Sequence, residues 1–328
     1  MRRRELMLSL VVVTAMTATS AAAQTAASTL PRVVVASTGD EAGFRPYKES
    51  FLKGMRDAGQ IEGRTFRLEV RYANRDPLQV PTLIRDAVAS RPDVLVVHGL
   101  AAARDARDAT SSVPVVVATS SDLVDGGVVR SFAHPGGNIT GINDLADEAT
   151  VKRLQLLKEM LPNAARVALL LDPNFPATPK IERNVGVAAR TLGVKVIRVD
   201  ATDPVSLVAA YDSLKQLRPD ALLLGSSSLF ATRAKESVER ATAMRIPVIH
   251  YWPGAAEAGA LISHQVDVFH NEERAASYVD RILKGTKPSD LPIEQPMRYE
   301  LVINLKIAKA LGLTVPDSMM IRADRVIE

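Results

Sequence analysis

Short apolar runs bounded by turn residues recur along the chain. In the first half they fall at 32–36, 68–72, 94–97 and 113–117, and in the second at 166–170, 195–199, 221–224 and 246–250. Parallel strands covered on both faces need no alternation of polar and apolar positions, so these runs predict buried parallel strands. Between them, apolar residues recur at helical spacing. The pattern predicts helices over 44–58, ended by Gly59, over 78–90, over 180–192, ended by Gly193, and over 205–217.

The two halves repeat each other at a separation of about 130 residues. Arg91-Pro92-Asp93 before one run matches Arg218-Pro219-Asp220 before another. Likewise Arg32-Val33-Val34 matches Arg166-Val167-Ala168, Val113-Pro114-Val115 matches Ile246-Pro247-Val248, and Asp76-Pro77 matches Asp203-Pro204. Each half reads β-α-β-α-β-α-β. The expected fold class is therefore α/β, with two doubly wound, Rossmann-like lobes of parallel sheet, each of roughly 120–150 residues. Ligands of open α/β sheets bind at strand carboxyl ends, where helix N-termini also offer N–H groups. Duplication of such a unit predicts a cleft between the lobes.

The 328 residues are 47% hydrophobic and 24% charged. That is enough apolar content for one large or two medium cores, and too much for disorder. Half of the net charge of +4 comes from Arg2, Arg3 and Arg4 set against Glu5. The remainder is close to neutral and offers no basic surplus for nucleic acid. Those arginines, the apolar stretch 6–16 and the small residues Ser20-Ala21-Ala22-Ala23 form an export signal over 1–23, with cleavage expected after Ala23. No later apolar run is long enough to span a membrane. The chain has no cysteine, which rules out disulfides, thiolate catalysis, Cys-based zinc sites and a lipid on a cleavage-site cysteine. An exported, unanchored chain of this kind is expected in the periplasm.

Polar loops follow the predicted strands. In the first half they supply Thr38, Gly39, His98, Gly99, Ser120, Ser121 and Asp122 as candidate ligand contacts, and in the second Asn174, Ser226, Ser227, Ser228, Tyr251 and Trp252. Tyr47, Phe175 and His264 complete the candidate set. Hydroxyls, amides and a few aromatics suit a small polar or amphipathic molecule, although the same residue types also cap helices and close turns. Trp252 is the only Trp in a chain of 4% aromatic content, which makes a cleft-loop aromatic conspicuous.

Enzyme signatures are missing. There is no G-x-x-x-x-G-K-[ST], G-x-G-x-x-G or H-E-x-x-H. Gly225-Ser226-Ser227-Ser228-Leu229 lacks the last Gly of a nucleophile elbow. Ser227 with His250 is the one nucleophile–base pairing the loops suggest, and the expectation is a protein that is not an enzyme. His264 and His270 lack further ligand spacing, so neither metal nor cofactor is expected.

The tail Glu300-Leu301-Val302-Ile303-Asn304-Leu305-Lys306-Ile307-Ala308-Lys309-Ala310-Leu311-Gly312-Leu313, then Val315-Pro316 and Arg322-Ala323-Asp324, is distinctive. So are Pro135-Gly136-Gly137-Asn138-Ile139-Thr140-Gly141, Lys152-Arg153-Leu154 and Glu294-Gln295-Pro296. With these the sequence resembles, from about residue 31 to 328, the bacterial ABC-transporter substrate-binding family that includes tryptophan- and tyrosine-type receptors. The resemblance implies a periplasmic-binding-protein type I fold, a small-molecule ligand, an inner-membrane ABC permease as partner, and a monomer. It implies lobes of 31–142 plus 262–288 and of 143–261 plus 289–328. The crossings then fall near Gly141-Ile142-Asn143, Leu261-Ile262-Ser263 and 288–292. The chain departs from the family where a ligand is read. The usual Gly-Thr-Pro is Gly99-Leu100-Ala101, and the usual Ser-Tyr-Gly-Pro-Asp is Ser263-His264-Gln265-Val266-Asp267. A ligand-sensing receptor for a membrane signalling protein stays open as the alternative to import.

Overall fold

The computed structural model describes residues 30–328 except residues 75, 77, 121, 122, 253 and 297. The export signal expected over 1–23 and the candidates Ser121 and Asp122 lie outside the described residues. The first half runs β1 (Arg32–Ser37), α1 (Glu41–Asp57), β2 (Arg67–Tyr72), α2 (Val80–Ala89), β3 (Val94–His98), α3 (Gly99–Ala109), β4 (Val115–Thr119) and β5 (Ile139–Gly141). The second runs α4 (Ala146–Met160), β6 (Arg166–Leu171), α5 (Thr178–Thr191), β7 (Lys195–Asp200), α6 (Pro204–Leu217), β8 (Ala221–Leu224), α7 (Ser228–Thr232), α8 (Ala234–Ala243), β9 (Val248–His250) and β10 (Ile262–Val266). The chain ends with α9 (Val268–Leu283), a 3₁₀ turn (Pro288–Asp290), β11 (Tyr299–Asn304), α10 (Leu305–Leu311), α11 (Asp317–Arg322) and β12 (Arg325–Ile327).

One sheet has the order β2-β1-β3-β4-β5 and the other β12-β11-β10-β9-β8-β6-β7. Reading β7-β6-β8-β9-β10 against the first sheet gives the same winding, all parallel. β11 then adds antiparallel to β10. Apolar side chains on both faces of each sheet enter helix-covered cores, two per lobe, as parallel strands require.

The repeated turn does the same work twice. Arg91 and Arg218 both take left-handed backbone, at φ 52° and 46°, and end their helices. The next Asp reaches back to the start of the lobe's first strand. Asp93 Oδ2 accepts from Arg32 N at 2.7 Å, and Asp220 Oδ2 accepts from Ala165 N and Arg166 N, each at 2.8 Å. The guanidinium of Arg32 donates to Ser90 O, as that of Arg166 does to Leu217 O. Those contacts explain why the Asp of the turn and the Arg that opens the first strand recur at these offsets: they lock the amino ends of the strands, away from the candidate loops.

The lobe boundaries differ from the sequence expectation. The sequence resemblance puts residues 262–288 in the first lobe, but β10 pairs with β9 and β11 in the second sheet. Only from Val268 does the chain pack on the first lobe, where Ala275, Ala276, Val279 and Ile282 join Val33, Val35, Phe51 and Met55. Gly54 permits that approach, because a Cβ there would lie 2.6 Å from Glu273 O. Residues 289–294 also belong to the first lobe rather than the second: Leu291 and Ile293 are core residues there, and Ile142 bridges to Glu294. Apolar content marks these segments as buried without saying in which sheet, since ladder hydrogen bonds decide pairing. The crossings thus fall at 142–145, 266–268 and 294–299.

Topology places all three crossings at one edge of each sheet. β5 and β10 leave from their carboxyl ends. β11 enters antiparallel to β10, so its first residue, Tyr299, sits opposite Val266. The carboxyl edges of the two parallel arrays are therefore the edges that the crossings join. Gly141 makes the first exit possible with φ 145°, and a Cβ there would lie 2.1 Å from Val117 O.

Candidate functional site

In the first lobe, β1 ends in buried Ser37, whose Oγ accepts from Gly39 N at 3.1 Å. Thr38 beside it is exposed. Asp40 caps α1, which presents Phe44 and Tyr47 as a stacked pair with centroids 5.7 Å apart. Tyr47 also meets Phe269 at 5.3 Å. At the end of β3, His98 meets the Phe44 ring edge-on at 5.3 Å, and Gly99 takes φ 83° to start α3.

His98 is anchored from a distant part of the chain. Its Nε2 lies 2.7 Å from Oε1 of Glu272 on α9. Burial opposes the charged imidazole, but the Glu272 carboxylate and the Ala36 carbonyl overcome that, and the net displacement is upward from 6.5. Burial and the same carboxylate also push the Tyr47 hydroxyl up. One residue before Glu272, Asn271 donates to Thr119 Oγ1 at 3.4 Å. Thr119 in turn donates to Asp144 Oδ2 at 3.5 Å on the first crossing, and Asp144 N donates to the Ser120 carbonyl at 2.6 Å.

In the second lobe, Ser227 Oγ donates to Asp172 Oδ2 at 2.6 Å and accepts from Leu229 N, capping α7. Ser227 N donates to Tyr251 Oη at 3.1 Å, and that hydroxyl donates to the Ser227 carbonyl. Tyr251 stacks on His250 at 4.9 Å, and the guanidinium of Arg153 lies 5.6 Å from its centroid. His264 on β10 stacks on Tyr299 at 5.4 Å and 6°. Burial first and the Arg153 charge second hold His250 down to about 3 and His264 down to about 4. Both are neutral imidazoles at neutral pH.

Several sequence candidates come together and others stand apart. Tyr47 and His98 share one cluster, and Ser227, Tyr251 and His264 share another through Arg153. Asn174 is exposed, with its N–H on Asp172 Oδ1. Phe175 packs on the second lobe's core. Trp252 packs on that lobe's other core, its N–H held by His250 Nδ1 at 2.9 Å, and Ser226 is half-buried beside Ser227. Ser227 gives its Oγ to Asp172 and His250 takes the Trp252 N–H, so the two form no nucleophile–base hydrogen bond among the described residues. His270 faces Glu273 at 4.0 Å while His264 faces Tyr299. Among the described residues no group of three or more His, Cys, Asp or Glu side chains is placed to hold a metal. No described helix is long and apolar enough to cross a membrane.

Glu272, Asp144 and Arg153 are not among the candidates that the sequence offers. Only Arg153 leaves a signal there: with Thr150, Leu154 and Leu157 it occupies the i, i+3, i+4, i+7 stripe that α4 buries.

A family model described as ABC transporter substrate binding protein matches residues 32–327. A tyrosine-binding protein of Clostridioides difficile (strain R20291) is 23% identical over 266 residues, 81% of this chain and 76% of that protein. Among solved structures, a conserved domain protein from Vibrio cholerae superposes with a TM-score of 0.80 at 24% identity, covering 90% of this chain and 99% of that one. An ABC domain in complex with L-Trp from Streptococcus pneumoniae gives a TM-score of 0.79 at 22% identity, covering 90% of this chain and 100% of that one. At these identities the structural likeness establishes the fold.

Proposed function

The chain belongs to the ABC transporter substrate binding protein family, and from that premise we propose that it captures an amino-acid-like, carboxylate-bearing solute between its lobes for an inner-membrane importer. The family is one of solute-binding proteins, not enzymes. The observation that carries the reading is topological: the crossings join the carboxyl edges of both sheets, and the ordered polar and aromatic clusters of each lobe sit at those edges. The export signal expected from residues 1–23 supports a periplasmic location, and the relatives named for tyrosine and L-Trp support an aromatic amino acid. Tyr47, half-buried between Phe44 and Phe269, puts aromatic surface at the first lobe's edge for such a side chain.

Closure follows from differential binding. A solute that touches both lobes binds the closed arrangement better than the open one and shifts the population toward it. Going from about 1% closed to about 99% closed takes roughly 5.5 kcal/mol of differential affinity. A few charge-assisted hydrogen bonds at about 1.5–3 kcal/mol each supply that. The permease then meets the closed pair of lobe faces. Small-angle scattering with thermal melting tests the reading: L-tyrosine or L-tryptophan is expected to raise the melting temperature and shrink the radius of gyration. A radius indifferent to every amino acid overturns it.

A further inference from the structure

Four carboxylate or guanidinium side chains are buried among the described residues: Asp147, Arg153, Glu272 and Asp280. Three of them have an opposite charge within reach. Asp147 faces Lys180 at 3.4 Å, Glu272 faces His98 at 2.7 Å, and Asp280 faces Lys284 at 2.8 Å. Arg153, only 2% exposed, makes no ion pair within 4.0 Å among the described residues. Its Nη2 donates to Thr150 Oγ1 at 2.8 Å and its Nη1 to the His264 carbonyl at 3.4 Å, while its buried Nε has no acceptor.

A buried cation with unused donors is expensive to fold. Desolvating it costs more than its hydrogen bonds return, and an apolar residue of similar volume is commonly as stable or more so. The surroundings relieve that cost only in part, through the charge of Asp144, which acts on the guanidinium without forming an ion pair with it. The nearby imidazoles of His250 and His264 are neutral, and Tyr251 offers a ring face at 5.6 Å. Burial draws the guanidinium down only to about 10, so it is a full cation at physiological pH.

Position says what would use it. Arg153 lies against the residues that end or follow strands at the joined edge: Tyr251 after β9, His264 on β10 and Tyr299 at the start of β11. Asp144, on the first crossing, is near enough to act on it electrostatically. The guanidinium fork matches a carboxylate in two parallel hydrogen bonds. We infer that Arg153 is the anchor in the second lobe for the solute's carboxylate, which would make with it the direct ion pair that no described residue makes. The inference rests on the proposed function above and adds the residue and the chemical group it grips.

The test compares purified wild-type protein with Arg153→Met and Arg153→Lys. Melting and calorimetric titration are run with L-tyrosine and L-tryptophan, and with tyramine and tryptamine, which lack the carboxylate. The amino acids are expected to bind wild type and the amines not. Arg153→Met is expected to melt at or above ligand-free wild type, because a costly buried charge is gone, and to bind the amino acids roughly 100-fold more weakly. Arg153→Lys keeps the charge without the fork and is expected to fall between. A drop in the ligand-free melting temperature of Arg153→Met, or its failure to fold, overturns the anchor in favour of a structural role. So does amine binding equal to amino-acid binding. If wild type responds to no amino acid, the solute reading falls and the anchor with it, an outcome distinct from the other two.

Discussion

His98 and Glu272 stand 174 residues apart in the chain and 2.7 Å apart in the fold, with the carboxylate only 1% exposed. The pair ties α9, which returns from the second lobe, to the end of β3 in the first. It holds the carboxyl edge of the first sheet around Phe44 and Tyr47.

That pair makes stability depend on pH in a defined direction. The folded-state value of His98 is raised above 6.5, so its contribution is complete below 6.5 and is lost as pH rises through the folded value. The groups facing it are the Glu272 carboxylate and, through that carboxylate, the Tyr47 hydroxyl. Glu272→Gln is expected to remove this decline and to cost about 3–5 kcal/mol near pH 6, since breaking a buried pair strands its partner. Urea melts from pH 6 to pH 8.5 measure it, and parallel curves for the two proteins would contradict the assignment.

His250 and His264 act in the opposite direction. Burial and Arg153 depress both below 6.5. Their contribution is present above 6.5 and is lost as pH falls toward the folded values of about 3 and about 4. His264→Phe keeps a ring against Tyr299 and removes one proton site, so stability should fall less steeply between pH 6 and pH 4. An unchanged slope in denaturant titrations would remove His264 from this account.

Gly54→Ala places a methyl group 2.6 Å from the Glu273 carbonyl, backbone that cannot rotate aside. Separation of α1 from α9 should cost about 1–3 kcal/mol, in the range of overpacked contacts. A chemical-denaturation midpoint equal to wild type would show that the helices yield without penalty.

The repeated turn allows an internal comparison. Asp220 serves two strand-start amides and Asp93 one. With about 1 kcal/mol per hydrogen bond, Asp220→Ala should destabilise by about 2 kcal/mol and Asp93→Ala by about 1 kcal/mol. The reverse order, read from denaturant midpoints, would refute the count.

Two contacts expected from the sequence are open to direct test. Asp122→Ala and exposed Asn174→Ala should each weaken L-tyrosine binding in calorimetry by roughly tenfold, the loss expected for one polar contact, with melting temperatures unchanged. Equal affinities in both variants would strike those residues from the site.

The sequence alone determined the architecture. Apolar runs between turn residues dictate parallel strands, and the recurrence of Arg, Pro and Asp at matching offsets dictates two copies of one unit, because the physics is local: helix spacing, strand burial and a turn's backbone; β2 and β7, expected buried like the rest, are half-exposed instead because they lie at sheet edges. It also placed the strand-end loops that carry Ser227, Tyr251 and His98. Tertiary structure decided which lobe owns 262–266 and 289–294, because ladder pairing is settled by partners distant in the chain. It likewise decided the charge pattern of the site. A Glu on α9 meets a His on β3, and an Arg in the buried stripe of α4 makes no ion pair among the described residues while Asp144 acts on it from the first crossing, since Coulomb interactions act through space and leave no periodic trace in the chain.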